Sequence, residues 1–198
     1  MSKIYISRHG DYSNPNNINP FRSDEVSLSP KGIEQIEQNA EFLKDKNIAA
    51  IFSSPVNRCK QSAEIYSKIL KLPIKFTTDL IEVGSPYQGT NNDTYHDELA
   101  GSSLYANEQH LANKGEPADE IIERMKNIIR KALEEYKNKN ILIVSHGDPI
   151  ELLFAYETGL SLNYEKRLEE QLKYIPKGGL IEMNYEGNKF MNYKNLNF

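Results

Sequence analysis

The chain has 198 residues, of which 38% are hydrophobic and 26% are charged, and its formal net charge at pH 7 is -4. These values predict one globular domain over residues 1–198 and disfavour disorder. Lysines alternate with acidic residues and form no basic stripe, which argues against nucleic acid as a partner. No apolar stretch has the length of a signal peptide or a membrane span, so we expect a cytoplasmic protein that does not bind membranes. The single cysteine, Cys59, excludes an internal disulfide and a thiolate-built zinc site.

The first quarter of the chain alternates strand and helix patterns. Residues 4–6 form a short apolar run that predicts a strand. Ser29 followed by Pro30 is typical of a helix start, and we expect that helix to continue to about Lys46. A buried strand is predicted over residues 49–52. The residues expected on the apolar face of the helix are Ile33, Ile36, Ala40 and Leu43.

A second helix is predicted to begin at the next serine-proline pair. Ser54 and Pro55 repeat the N-cap signature, which places Arg58 in the first helical turn, close to the carboxyl end of the preceding strand. The residues expected on the buried face of this helix are Val56, Cys59, Ala63, Tyr66 and Leu70.

The second half of the chain continues the alternation. A third helix is expected with Pro117 at its start, followed by a strand over residues 141–144 and a fourth helix with Asp148 as N-cap that ends near Gly159. Residues 179–193 predict a hairpin. Such alternation favours an α/β fold, a three-layer αβα sandwich with a mainly parallel sheet.

Two long segments show no regular pattern. They span residues 11–28 and 84–116. Long loops in a compact domain are often functional, so we predict that both form substrate-facing walls, with 84–116 as an insertion within the domain. His96 and His110 lie in the second segment and are either pocket-lining or ordinary solvated residues.

Two histidines each follow an apolar run that predicts a strand. They are His9, which follows Arg8, and His146, which precedes Gly147. Because ligands bind beyond the carboxyl ends of strands in an open α/β sheet, these residues can meet in one site, together with Arg58. An arginine grips phosphate oxygens bidentately, a neutral imidazole can attack phosphorus, and backbone N–H groups at a helix start favour an anion. The pattern predicts a phosphate site without a metal or cofactor.

Six short motifs occur in order along the chain. They are Arg8-His9-Gly10; Leu28-Ser29-Pro30-Lys31-Gly32 with Gln35; Ser53-Ser54-Pro55 with Arg58 and Gln61-Ser62-Ala63-Glu64; Leu80-Ile81-Glu82 with Gly89; Gly115-Glu116 with Arg124; and Val144-Ser145-His146-Gly147. In this order they resemble the histidine phosphatase superfamily, whose fold is phosphoglycerate-mutase-like. The resemblance covers most of the chain.

The resemblance implies a role for each site residue. His9 would be the nucleophile that becomes phosphohistidine, while Arg8, Arg58 and His146 would hold the phosphoryl oxygens. Glu82 would be the general acid that protonates the leaving group and later activates water. The implied protein is a metal-independent phosphatase acting on a small phosphoester.

Three other interpretations stay open at this point. One is a phosphoglycerate-type mutase, for which the segment 84–116 is short. Another is a noncatalytic module that binds phosphoesters. The third is a divalent metal site with His9, Asp11, His146 and Asp148 as ligands.

The loop after the first motif departs from the family pattern. Pro15 stands where mutases often have an asparagine, which leaves Asn14 and Asn16 as candidates for that phosphate contact.

Overall fold

The computed structural model describes residues 1–93, 111–160 and 174–197. In these residues one sheet contains six strands: β1 (Ser2–Arg8), β2 (Ile48–Ser53), β3 (Ile74–Phe76), β4 (Asn140–Ser145), β5 (Leu180–Glu186) and β6 (Lys189–Asn195). Their spatial order is β3-β2-β4-β1-β5-β6. The first four in that order are parallel, and β5 and β6 pair antiparallel. The predicted hairpin is formed by these last two strands.

The helices that flank the sheet are α1 (Pro30–Leu43), α2 (Asn57–Leu70), α3 (Ala118–Glu135) and α4 (Gly147–Thr158), with short 3₁₀ helices at Lys44–Lys46 and Thr78–Leu80. One apolar core joins α1 and α2 to the sheet, and a second core joins α3 and α4 to the opposite face. The predicted three-layer αβα arrangement with a mainly parallel sheet is therefore confirmed. None of the helices in the described part of the chain has the length and apolar content needed to cross a membrane.

Alternation of side chains along the strands explains the two cores. In β1, Tyr5 packs in the core with α1 and α2, while Ile4 and Ile6 pack in the core with α3 and α4. In β4, Leu142 packs in the core with α1 and α2, and Ile143 packs in the core with α3 and α4. Because both faces are covered, the central strands consist of continuous apolar runs.

The start of α1 agrees with the sequence prediction. Ser29 is the N-cap, its side chain accepts a hydrogen bond from Gly32 N at 3.1 Å, and Pro30 is the first helical residue. One expected core position is wrong, since Ile33 is 40% exposed. The other predicted apolar positions, including Ile36, are buried. The buried stripe of α1 is therefore narrower than the apolar spacing suggests.

The predicted starts of α2 and α4 are wrong by two residues, in opposite directions. The N-cap of α2 is Val56 instead of Ser54, and the N-cap of α4 is His146 instead of Asp148. Both polar side chains have tertiary partners. The Ser54 hydroxyl lies 2.8 Å from His146 Nε2, and the Asp148 carboxylate accepts a hydrogen bond from Tyr174 Oη at 2.8 Å.

The two loop segments contact each other. Tyr12 pairs with Leu28 within the first loop, and Asn19 N donates to Thr90 O of the second loop at 2.9 Å. Residues 94–110 of the predicted insertion, including His96 and His110, lie outside the described residues, so their role as a wall stays a prediction.

Candidate active site

The predicted site residues converge where the carboxyl ends of β1, β2 and β4 meet the amino ends of α2 and α4. Backbone hydrogen bonds of 3.0 Å hold the strand ends together, from His9 N to Ser145 O and from Ser54 N to Val144 O. His9, Arg58 and His146 are each at most 1% exposed. Residues more than 130 positions apart thus share one buried cluster.

Hydrogen bonds define the protonation state of His9. Its Nδ1 donates to Gly10 O at 2.9 Å, and its Nε2 accepts from Arg58 Nε at 3.1 Å. Burial, followed by the positive charges of Arg58 and Arg8, holds the pKa of His9 well below its usual value. The ring is therefore neutral with a lone pair on Nε2, the form in which imidazole is a nucleophile.

The guanidinium groups of buried Arg58 and partly buried Arg8 each leave one N–H donor free for an anion. Arg58 Nη2 donates to Phe21 O at 2.7 Å, and Arg8 Nη1 donates to Ile175 O at 2.7 Å. Arg58 Nη1 and Arg8 Nε are buried and have no hydrogen-bond partner among the described residues. Since buried donors are normally hydrogen-bonded, these two N–H groups suit the oxygens of a bound anion such as phosphate.

His146 lies beside His9, with the ring centroids 5.3 Å apart. Its Nε2 lies 2.8 Å from Ser54 Oγ, while its Nδ1 lies 3.6 Å from Glu82 Oε2. Burial and the charge of Arg58 hold the pKa of His146 well below its usual value. This second imidazole is therefore also neutral and can offer one N–H to the site.

Glu82 completes the cluster. Its Oε2 lies 3.5 Å from Arg58 Nη2, and its Oε1 accepts from Val83 N at 3.0 Å. Burial, together with the negative charge of Asp148, raises the pKa of Glu82 to about 7, against the opposing effect of Arg58. A carboxyl with such a pKa can either donate or accept a proton near neutrality.

An ion-pair network supports the backbone of Glu82. Glu116 pairs with Arg22 through Oε2 at 2.6 Å and with Arg124 through Oε1 at 2.8 Å. Arg22 Nε also donates to Glu82 O at 2.7 Å, and Gly84 N donates to Glu116 Oε2 at 3.1 Å. The pair of Glu116 with Arg124 belongs to one of the sequence motifs, whereas no sequence pattern singled out Arg22.

Gly147 begins α4 in a confined space. A Cβ atom at Gly147 would lie 2.0 Å from Tyr174 Oη and 3.0 Å from Arg8 Cζ. The Tyr174 ring packs under the Arg8 guanidinium, with Cζ 5.1 Å from the ring centroid. A side chain at this position would displace the Tyr174 hydroxyl and crowd Arg8, and the amino end of the helix lies beside that guanidinium. Tyr174 was missed by the sequence reasoning because no motif contains it.

Asp11, a ligand in the metal interpretation, is engaged elsewhere. Its Oδ1 lies 3.1 Å from Lys177 Nζ, and its Oδ2 accepts from Ser29 Oγ at 2.9 Å. Within residues 1–93, 111–160 and 174–197, no three His, Cys, Asp or Glu side chains are grouped as a metal site requires.

Asn14 donates to Ile18 O at 2.8 Å, so its amide stabilises its own loop, and Asn16 is exposed.

Comparisons with known proteins find relatives over most of the chain. The family model described as histidine phosphatase superfamily (branch 1) matches residues 4–192. The chain is 27% identical over 165 residues to the uncharacterized phosphatase PhoE of Bacillus subtilis, covering 80% of this chain and 79% of that protein. It is 26% identical over 176 residues to the probable phosphoglycerate mutase GpmB of Erwinia tasmaniensis, with coverage of 85% and 80%. The structure of Bacillus stearothermophilus YhfR superposes with a TM-score of 0.82 at 20% identity, covering 96% of this chain and 95% of that one.

Proposed function

Because the chain belongs to the histidine phosphatase superfamily, branch 1, we propose that it hydrolyses a small phosphoester through a phosphohistidine on His9. The observation that carries the proposal is the neutral His9 ring, whose unprotonated Nε2 accepts from Arg58 Nε, beside a guanidinium that also lies 3.5 Å from the protonatable Glu82 carboxyl. A cytoplasmic location stays a prediction from the sequence.

In the first step the hydrogen bond from Arg58 Nε to His9 Nε2 breaks, and the freed Nε2 lone pair attacks phosphorus and forms a P–N bond. The P–O bond to the leaving group breaks, its electron pair stays on the leaving oxygen, and protonated Glu82 supplies the proton. Arg8, Arg58 and His146 hold the three remaining phosphoryl oxygens by charge-assisted hydrogen bonds, helped by backbone N–H groups at the start of α4. The His9 ring becomes positively charged, and its Nδ1–H remains bonded to Gly10 O.

In the second step water replaces the nitrogen. The Glu82 carboxylate accepts a proton from water, the water oxygen attacks phosphorus, and the P–N bond breaks with its electron pair returning to His9 Nε2. Inorganic phosphate leaves, and both residues regain their starting protonation states. The pKa of about 7 suits Glu82 to both steps, because the carboxyl must exchange its proton twice in each cycle.

The similarity to GpmB favours a phosphoglycerate-type mutase as the second candidate. A mutase would pass the phosphoryl group from His9 to another hydroxyl of the substrate instead of to water. The two activities share every residue of the first step and differ only in the acceptor.

A panel of phosphoesters tests the proposal, with 3-phosphoglycerate included and isomerisation followed beside phosphate release. We expect phosphate release that is unchanged by EDTA and absent in His9→Ala. Isomerisation faster than hydrolysis would establish the mutase, and substrate binding without turnover would establish a binding module. Loss of activity with EDTA, restored by a divalent ion, would establish a metal-dependent mechanism.

A further inference from the structure

The two ring nitrogens of His146 face different surroundings. Nε2 lies 2.8 Å from Ser54 Oγ and 3.4 Å from Cys59 Sγ, on the side of α2. Nδ1 lies 3.6 Å from Glu82 Oε2, on the side of the proposed reaction centre, and at the longer distance of 3.8 Å from the same Cys59 Sγ. A neutral imidazole carries one proton on one of these nitrogens, and the hydrogen bond made by the other nitrogen selects which.

The bonding of Ser54 leaves its proton available for Nε2. Ser54 is fully buried, and its Oγ already accepts a hydrogen bond from Val56 N at 3.3 Å. The Cys59 thiol donates to Ser145 O at 3.3 Å. The serine hydroxyl is therefore the best-placed donor to Nε2, at the shorter distance of the two neighbours and with the stronger donor group.

We propose that Ser54 is a positioning residue that donates to His146 Nε2 and thereby holds the neutral ring as its Nδ1–H tautomer. The Nδ1–H then donates to a phosphoryl oxygen. In the opposite tautomer the Nδ1 lone pair would face an anionic oxygen and repel it. This inference rests on the proposed function, in which His146 holds the phosphoryl group.

The electrostatics of the site make the choice of tautomer consequential. If His146 were protonated, both nitrogens would be donors and Ser54 would be irrelevant to the contact. Burial and the charge of Arg58 instead keep the ring neutral, so a single proton must be on the correct nitrogen.

The wild-type protein provides the first test, because ¹⁵N NMR of labelled histidine distinguishes the protonated ring nitrogen from the unprotonated one. Loss of a spin system in His146→Gln assigns the ring. We expect the Nδ1–H tautomer near pH 7. An Nε2–H tautomer in the wild type would overturn the proposal without any change to Ser54. If that result accompanied phosphohistidine on His9, the proposed function would survive the failure.

Ser54→Ala provides the second test, with Ser53→Ala as a matched control. Ser53 is also fully buried, but its hydroxyl donates to the backbone oxygens of Ser54 and Cys59 instead of to the His146 ring. We expect Ser54→Ala to populate the Nε2–H tautomer and to lower kcat about 10- to 100-fold, the range for losing a hydrogen bond to a charged group. Ser54→Thr, which keeps the hydroxyl, should restore the tautomer and much of kcat.

The control separates positioning from stability. Ser53→Ala should leave the His146 tautomer unchanged and kcat within about threefold, even if its unfolding midpoint falls as far as that of Ser54→Ala. A Ser54→Ala protein that folds and keeps both the Nδ1–H tautomer and kcat would refute the role of Ser54. An equal loss of kcat in both variants with an unchanged tautomer would also refute it.

Discussion

Replacing Glu82 by glutamine removes the proposed proton donor and keeps nearly the same size. With a pKa of about 7, about half of this carboxyl is protonated at pH 7. A carboxyl at the ordinary value of 4.5 would be about 0.3% protonated at that pH. Burial and the charge of Asp148 therefore increase the protonated fraction of the Glu82 carboxyl more than about 100-fold. The larger protonated fraction speeds the reaction only when the leaving group needs a proton.

We expect Glu82→Gln to slow the burst of an alkyl phosphate by about 10² to 10⁴, which corresponds to about 3 to 5 kcal/mol. The burst of p-nitrophenyl phosphate should fall by less than about fivefold, because p-nitrophenolate leaves without a proton. The wild-type burst with the alkyl ester should decline above about pH 7 as Glu82 ionises, and this decline should vanish in Glu82→Gln.

Rapid quench measures the burst, and steady-state rates are recorded separately because Glu82 also serves the second step. Glu157→Gln is the control, since Glu157 is a partly buried glutamate with a raised pKa at the far end of α4. It should change neither the leaving-group dependence nor the pH profile. Equal loss of the burst for both esters in Glu82→Gln would refute the acid role and assign Glu82 to structure or binding.

Arg58→Ala should lower kcat/KM by at least about 100-fold, because it removes the buried guanidinium that donates to His9 Nε2. Arg130→Ala, on the exposed surface of α3, is the control and should have no effect. A change within about twofold for Arg58→Ala would contradict the proposed role of Arg58 in holding the phosphoryl group. Gly147→Ala should lower kcat/KM at least about tenfold in the same assay, because the added Cβ would displace Tyr174 and crowd Arg8. Wild-type activity in this variant would show that the close approach of Tyr174 to Gly147 does not matter for catalysis. With p-nitrophenyl phosphate, kcat/KM should not fall as the pH is lowered through 6.5, because the lowered pKa values of His9 and His146 keep both rings neutral there. A decrease of kcat/KM with a midpoint near pH 6.5 would contradict the neutral state of these rings.

The fold was predictable where local signals and long-range packing agree. Ser29 and Pro30 begin α1 as expected, and the paired strand ends bring His9 beside His146 as the α/β interpretation requires. The family match over residues 4–192 confirms the resemblance inferred from the order of the motifs.

The errors came from residues whose side chains have distant partners. Ser54 and Asp148 both have the residue type of an N-cap, but the first contacts His146 and the second accepts from Tyr174. N-cap preference is a local tendency, and tertiary hydrogen bonds of this kind override it. The sequence does not show that Ser29 caps a helix while Ser54, which also precedes a proline, contacts a distant histidine.

The predicted acid shows a similar limit. Nothing near Glu82 in the sequence distinguishes it from a surface glutamate, and only the family resemblance selected it. Its raised pKa depends on burial and on Asp148, which lies 66 positions further along the chain. Properties that arise from such long-range contacts become visible only when the fold assembles them.

The most direct test of the central claim is to trap the phosphoenzyme. Rapid quench under alkaline conditions during turnover, followed by peptide mass spectrometry, should find phosphate on the peptide that contains His9. That phosphate should be labile to acid, should appear with the burst, and should be absent from His9→Ala. Full turnover without phosphate on His9, or with phosphate on another residue, would contradict the proposed mechanism.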